Sequence, residues 1–302
     1  MILHKDKENF DILIKSASRF FNVHPAIIEK DYYVTVILKE LTRKVQGLLF
    51  KGGTSLSKCF KLIDRFSEDI DVTLDPKLQS QGNKRNLKYI ILDICNNLDL
   101  NLLNKEETRS RRNYNCYKIN FDARYSLPGL NKQLLIETSF IVKSFPDEIK
   151  QISSMIYDYL KGTQKNELIS LYELEPFSIR VQTLERTLID KVFAICDYML
   201  ENKIEKRSRH IYDIYCLVSH VKLDENLKLL VKEVRNERIR SIKAYSAQED
   251  INIPELLHQI IEKNVYKNDY NDITVKLLSK PVSYEKAIKS IEIISNSGIF
   301  DE

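Results

Sequence analysis

Phe50-Lys51-Gly52-Gly53-Thr54-Ser55, followed one short segment later by Asp69-Ile70-Asp71-Val72-Thr73-Leu74, is the stretch on which the reading of this chain turns. Leu48-Leu49-Phe50 is a short apolar segment that predicts a strand ending on Lys51-Gly52-Gly53. Thr54-Ser55 then offer an N-cap to an apolar-periodic run, Leu56, Cys59, Phe60 and Ile63, which predicts a helix. A strand, a Gly-Gly turn and a helix N-terminus in succession suit a phosphate. Glycine lets an oxyanion approach the backbone, and the first-turn N–H groups and the helix dipole favour negative charge. Alone, the same arrangement also occurs simply as a turn. The pair gains weight because glycine is scarce, at seven in 302 residues, where average usage near 7 % would give about 21.

Ile70, Val72 and Leu74 alternate with Asp69, Asp71 and Thr73, the pattern of a half-buried strand. Residues two apart on a strand point to the same side, so Asp69 and Asp71 project together, while Glu68 alternates to the other face. Two like charges this close repel, and a hard divalent cation such as Mg²⁺ relieves them through carboxylate oxygens. An isolated D-x-D is more often just an exposed strand face; one arriving a helix after the Gly-Gly turn is much less easily accidental. A third carboxylate is then expected from a neighbouring strand. Leu134–Phe140 supplies Glu137 within an apolar run, where an acid costs free energy unless it is paired or metal-bound. A salt-bridged or edge-strand glutamate is the alternative.

Around this centre, helical patterns are expected at Asn9–Phe21, Pro25–Leu41 and Asn86–Asn97, and strands at Tyr117–Phe121, Leu134–Phe140 and Phe177–Val181. A turn at Pro128-Gly129 separates the first two of those strands. Later helical patterns fall at Thr183–Leu200, Ser208–Val221, Glu225–Val234, Ile253–Glu262 and Tyr284–Ile294. The expected fold class is α+β: a mixed sheet with flanking helices over residues 1–165, then a mainly helical region over 166–302. Composition agrees, with 43 % hydrophobic and 30 % charged residues, enough apolar area for a sizeable core. The five cysteines are widely spaced without a CxxC pair, which excludes a zinc knuckle and suggests buried free thiols. No apolar run of membrane-spanning length occurs, and the expectation is a cytoplasmic protein with no membrane partner.

The Gly-Gly turn, the D-x-D and a later acid resemble, in this order, the pattern of the nucleotidyltransferase superfamily. Lys51-Gly52-Gly53-Thr54-Ser55-Leu56-Ser57-Lys58 with Arg65-Phe66-Ser67-Glu68-Asp69-Ile70-Asp71 resembles more closely the AbiEii/AbiGii toxin family of bacterial type IV toxin–antitoxin and phage-abortive systems. Ile28-Glu29-Lys30-Asp31-Tyr32-Tyr33-Val34-Thr35 is similar to that family's leading helix. Glu185-Arg186-Thr187-Leu188-Ile189-Asp190-Lys191 and Arg209-His210-Ile211-Tyr212-Asp213 are similar to its later motifs. The resemblance implies NTP-dependent nucleotidyl transfer. Asp69, Asp71 and Glu137 would hold Mg²⁺ or Mn²⁺, and Gly52, Gly53, Thr54, Ser55, Lys58, Arg65 and Ser67 would contact the nucleotide. Lys191 would neutralise developing charge, and Asp213 would orient. It further implies an RNA acceptor, tRNA among the candidates, or a protein acceptor, and a cognate antitoxin as partner.

Geometry tests the later motifs. At 100° per residue Lys191 falls at the margin of an apolar stripe with Leu184 and Ile195, while Arg186, Asp190 and Asp197 share the opposite arc. Asp213 sits beside Leu217 at the edge of its helix's apolar face. The basic stretches Arg109-Ser110-Arg111-Arg112, Lys203 to Arg209 and Lys232 to Lys243 suit either an RNA backbone or a solvated face. Tyr114, Tyr117 and Tyr125 lie near the first of them as candidate base-stacking rings. The rival reading is a non-catalytic nucleic-acid-binding protein on the same scaffold. A metal nuclease is disfavoured because Glu137-Thr138-Ser139 lacks a lysine two residues after the acid. A D-x-D glycosyltransferase is disfavoured because no long doubly wound pattern surrounds the motif.

Overall fold

The computed structural model describes residues 1–65, 67, 69–109, 112–128, 130–131 and 133–301. Expectations on Phe66 and Glu68 of the D-x-D motif, on Ser110 and Arg111 of the first basic stretch and on the turn residue Gly129 lie outside these. The chain falls into two compact units. The first comprises Met1–Cys59, Ser67–Phe140 and Asp147–Val181; the second comprises Phe60–Phe66, Ile141–Pro146 and Gln182–Glu302.

The first unit opens with helices α1 (Lys7–Phe21) and α2 (Pro25–Lys44). Pro25 at the first helical turn and the His24 ring, which accepts from Ala26 N at 3.2 Å, start α2. Strand β1 (Leu48–Lys51), helix α3 (Gly52–Lys58), strand β2 (Ile70–Leu74) and helix α4 (Gln81–Asn97) follow. Strands β3 (Asn101–Leu102), β4 (Tyr114–Asn120), β5 (Gln133–Ser139) and β6 (Asp147–Ile152) come next. Helices α5 (Met155–Gly162) and α6 (Asn166–Leu171) then lead to β7 (Phe177–Gln182). The seven strands form one mixed sheet in the order β3-β4-β5-β2-β1-β7-β6. β2 runs antiparallel to β1 and parallel to β5, and β4 is antiparallel to β5.

One face of this sheet is core. Phe50, Ile70, Val72, Tyr117, Ile119, Leu134 and Ile136 are all buried. The residues alternating with them face the other way and are half-buried or exposed along β4 and β5. α2 is buried almost all round, with Tyr33 against Phe121 and Phe10 of α1 against Tyr32.

The α+β reading with a mixed sheet and flanking helices holds. Three local expectations are corrected. Thr54 and Ser55 are not the N-cap of α3: the helix begins at Gly52 with Lys51 as its cap, and it ends at Lys58. The apolar residues Phe60 and Ile63 therefore follow the helix, and Lys61 has a left-handed φ of 54° that a helix cannot carry. β7 pairs with β1 through Phe50 and Val181 and so belongs to the sheet of the first unit. Of the five free cysteines, only Cys95 and Cys196 are fully buried.

The second unit is mainly helical, with α7 (Leu184–Leu200), α8 (Arg209–Val218), α9 (Glu225–Arg238), α10 (Ile253–Glu262) and the helix Tyr284–Ser295. α8 packs between α7 and the last helix, burying Ile211, Ile214, Leu217, Ile291 and Ile294. No helix among the described residues is long and apolar enough to cross a membrane.

Two glycines separate constraint from convenience. A Cβ on Gly52 would lie 1.9 Å from Asp71 Oδ2, and Gly52 has φ +80°, whereas a Cβ on Gly82 meets only Ser80 Oγ at 3.8 Å. Gly52→Ala is expected to destabilise the fold by about 1–3 kcal/mol. Gly82→Ala, in the first turn of α4, is expected to stabilise it by about 0.4–1 kcal/mol. Urea-unfolding midpoints of the two variants check both signs.

Candidate active site

The site builds from sheet register. Asp71 of β2 is paired with Lys51 of β1 on one side and with Glu137 of β5 on the other, and Glu137 is paired in turn with Cys116 of β4. Residues in register across neighbouring strands project to the same face. Cys116, Glu137, Asp71 and Lys51 therefore form one row across the face opposite the core. Asp69 lies two residues before Asp71 and is half-buried, as are Asp71 and Glu137. The structure thus brings together the two carboxylates that come from strands far apart in sequence.

The electrostatics of this face follow from that row. The Cys116 thiol is pushed up to about 11, by burial first and then by Glu137, with Asp69 and Asp71 adding to it and Lys118 opposing. The Tyr114 hydroxyl is raised by burial and by Glu137, to which it is also hydrogen-bonded. Three carboxylates act on one thiol, so this is a spot of concentrated negative potential with hard oxygen donors. That chemistry fits a divalent cation such as Mg²⁺. Among the described residues, no group of three His, Cys, Asp or Glu side chains is placed to hold a metal ion, and the pair that register sets side by side is Asp71 with Glu137.

The Gly-Gly turn sits at the β1 end of the row. Asp71 lies against Gly52, as the steric test above shows. Ser55 Oγ donates to Gly52 O at 2.8 Å and Thr54 Oγ1 is 2.9 Å from Ser67 Oγ, so these three hydroxyl residues hold the turn together. Lys58, expected on the nucleotide, is buried and pairs with Asp31 at 2.5 Å. Asp31 also accepts from Met155 N at 2.7 Å. Its neighbours in the leading-helix motif anchor backbone as well. Glu29 accepts from Arg124 N and Tyr125 N at 3.0 and 3.2 Å, and Lys30 donates to Asn131 O at 2.5 Å. The charges of that motif thus fasten α2 to three other segments of its unit.

Arg65, Lys191 and Asp213 meet in the second unit. Arg65 grips Asp213 with two bonds, Nε to Oδ1 at 2.6 Å and Nη2 to Oδ2 at 2.7 Å, and Lys191 Nζ donates to Asp213 Oδ2 at 2.6 Å. Asp213 is completely buried, and Arg65 and Lys191 are nearly so. The edge-of-stripe placement expected for Lys191 and Asp213 is therefore corrected, because each is buried with an opposite charge as its partner. Arg186, on the arc opposite that stripe, is also buried, donating to Phe145 O at 2.9 Å and pairing with Asp190. Burial would raise the Asp213 carboxyl, but Arg65 and then Lys191 outweigh it and hold it far below the usual carboxylate range. Burial lowers Lys191 more than Asp213 raises it. His210, one turn before Asp213, has both ring nitrogens buried with no hydrogen-bond partner among the described residues. Burial, and next the Lys191 charge, keep its pKa well below the usual value.

The basic stretches resolve differently. Arg235 donates to the carbonyls of Ala247, Gln248 and Ile251, and Arg238 to Asp190 and Asp197. Lys203 pairs with Glu201, and Arg207 lies over the Tyr198 ring. In the first stretch, Ser110 and Arg111 lie outside the described residues, and Arg109 and Arg112 are exposed. Tyr117 is buried on the core face and the Tyr125 hydroxyl is bonded to Asp11, which leaves Tyr114 as the ring of that trio on the acidic face. Its closeness to Glu137 was readable only from register, which two strand patterns alone do not set.

The family model described as "Nucleotidyl transferase AbiEii toxin, Type IV TA system" matches residues 37–290. Among solved structures, the chain is similar to MenT4, the nucleotidyltransferase toxin Rv2826c from Mycobacterium tuberculosis H37Rv, with a TM-score of 0.62 and 16 % identity. That match covers 97 % of this chain and 89 % of the other, and at such identity it bears on the fold. No curated protein sequence matches significantly.

The buried cluster makes a stability prediction with a definite sign. Asp213→Asn leaves two buried cations without their counter-charge and is expected to cost about 3–5 kcal/mol. The Asp213 carboxyl is depressed in the folded state. It therefore contributes stability that is complete above the unfolded carboxylate pKa of about 3.9 and is lost progressively as pH falls from there through the depressed folded-state pKa. Denaturation midpoints of wild type and variant should differ strongly at pH 7, and the gap should begin to narrow only below about pH 3.9.

Proposed function

The chain belongs to the AbiEii nucleotidyltransferase toxin family of type IV toxin–antitoxin systems, and from that premise we propose that it transfers a nucleotide from an NTP to an RNA acceptor. The observation that supports this most is the register that sets Asp71 beside Glu137, with Gly52 at the end of the same row. In the proposed reaction the acceptor hydroxyl oxygen bonds to the α-phosphorus. The bond from that phosphorus to the bridging oxygen breaks, pyrophosphate departs, and the hydroxyl proton passes to water.

Asp69, Asp71 and Glu137 would hold Mg²⁺ or Mn²⁺, which when bound supplies Lewis acidity and lowers the pKa of the attacking hydroxyl. Gly52, having no Cβ, lets Asp71 close on the turn, so that the carboxylate and the start of α3 address the same phosphates. Gly53 and the first backbone N–H groups of α3 would face the triphosphate, with Thr54, Ser55 and Ser67 keeping that turn in shape. Lys58 acts indirectly, by tying α3 to α2 through Asp31. From the family resemblance we assign to Lys191 the neutralisation of developing charge and to Asp213 an orienting role; within their own unit Asp213 holds both Lys191 and Arg65. A cognate antitoxin and action in the cytoplasm complete the proposal, tRNA being one candidate acceptor.

Labelled NTPs, Mg²⁺ and total bacterial RNA provide the test, with wild type beside Asp71→Asn and Glu137→Gln. Label is expected to enter RNA with wild type and to fall by about 10²–10⁴-fold in either variant. Equal labelling by all three proteins would overturn the reading, and label entering protein in place of RNA would move the acceptor class.

A further inference from the structure

Beyond Glu137, at the opposite end of the carboxylate row from Gly52, β4 carries a cavity of about 270 Å³. We propose that this cavity receives the terminal nucleotide of a single-stranded RNA acceptor. The inference rests on the transfer reading above and gives it a location.

The row itself supplies the first argument. Lys51, Asp71, Glu137 and Cys116 occupy successive strands β1, β2, β5 and β4. With neighbouring strands about 4.8 Å apart, three spacings make a row of about 14 Å. In an in-line displacement the attacking oxygen and the leaving oxygen lie on opposite sides of the phosphorus. With the triphosphate at the Gly52 end, the attacking strand must come from the β4 end. The cavity is there.

Its construction supplies the second argument. Asn104 is buried and pairs with β4 as a strand would, its Nδ2 donating to Cys116 O at 2.8 Å and its Oδ1 accepting from Lys118 N at 2.9 Å. Asn115 is buried as well and holds Arg109 from both sides, accepting from its N at 2.9 Å and donating to its O at 3.1 Å. Lys88 donates to Thr108 O at 2.5 Å. These bonds fix a wall opposite β4 and leave Arg112, Tyr114 and Lys118 lining the space. Tyr114 is 44 % exposed while its hydroxyl is held by Glu137. Lys118 is half-exposed, with Glu107 as its acidic neighbour at 4.0 Å.

Two cations beside an open aromatic ring are the elements that bind single strands, a phosphate on the cations and a base on the ring. A cavity near the lower end of the usual pocket range, about 300–1,000 Å³, takes one nucleotide and excludes a duplex. A base stacked on Tyr114 brings its ribose to Glu137, which is where an attacking hydroxyl has to be.

The test reads binding without chemistry. A fluorescent single-stranded RNA oligonucleotide with a free 3′ end is titrated, without NTP, into the full chain and into Arg112→Ala/Lys118→Ala, Tyr114→Ala and Tyr114→Phe. NTP binding is measured in parallel. The double variant is expected to weaken RNA binding about tenfold and to flatten its log–log salt slope by about 1.4. Tyr114→Ala is expected to weaken it about tenfold, with Tyr114→Phe restoring it because the ring is kept. NTP affinity should be unchanged in every variant. Unchanged RNA affinity in the double variant, absence of RNA binding by wild type, or loss of NTP binding in its place would overturn the proposal; in the last case the cavity holds the donor's base. Asp71→Asn separates the two readings, since it is expected to keep RNA binding while losing transfer. If wild type binds RNA through these residues yet transfers nothing, the transfer reading fails and the RNA site stands.

Discussion

Asp71 occupies the place where residue 52 would otherwise carry its side chain, and much of the first unit follows from that close approach. An ideal Cβ at position 52 would stand 1.9 Å from the carboxylate, and the backbone there has φ +80°. Both conditions admit glycine and strain every other residue. Given that contact, the antiparallel pairing of β1 with β2 sets Lys51 opposite Asp71 and starts α3 beside the carboxylate. The parallel pairing of β2 with β5 then fixes Glu137 as the next member of the row. A slip of one residue in either pairing would turn an acid into the core and Ile70 or Ile136 out of it. The same apolar residues that bury the sheet therefore hold the site in register.

The sequence was most informative where a physical constraint was local. Alternation exposed β2 and the face shared by Asp69 and Asp71, and glycine scarcity marked the turn at residue 52. Glu137 was legible as an acid in an apolar strand, although its partner strand was not. The strand β6 gave no signal because Asp147–Ile152 is a polar edge strand with a half-exposed pattern. α3 was read too long because Phe60 and Ile63 continue a helical spacing that the backbone abandons after Lys58.

Buried charge was the least legible feature. Asp213 reads as an edge residue on its helix, yet its partner Arg65 comes from 148 positions away in the chain. The family resemblance places Lys58 on the nucleotide, yet Asp31 takes its ammonium. Helical periodicity reports hydrophobic faces and contains no information about the ion pair that lets a charge enter one. For the same reason Glu29 and Lys30, recognisable as motif residues, gave no hint that they serve backbone groups in distant loops. The two units use buried charge differently. In the first, single charges pin loops and helix ends, whereas in the second one carboxylate gathers two cations.

The proposed transfer depends on a divalent cation held by Asp71 and Glu137, which strand register sets side by side. Titration of Mn²⁺ followed by electron paramagnetic resonance reads this directly, in wild type and in Asp71→Asn and Glu137→Gln. Saturable Mn²⁺ binding by wild type is expected, weakened by about tenfold or more in either variant, as loss of one ligand from a shared site requires. Mn²⁺ binding of equal strength in all three proteins would contradict it.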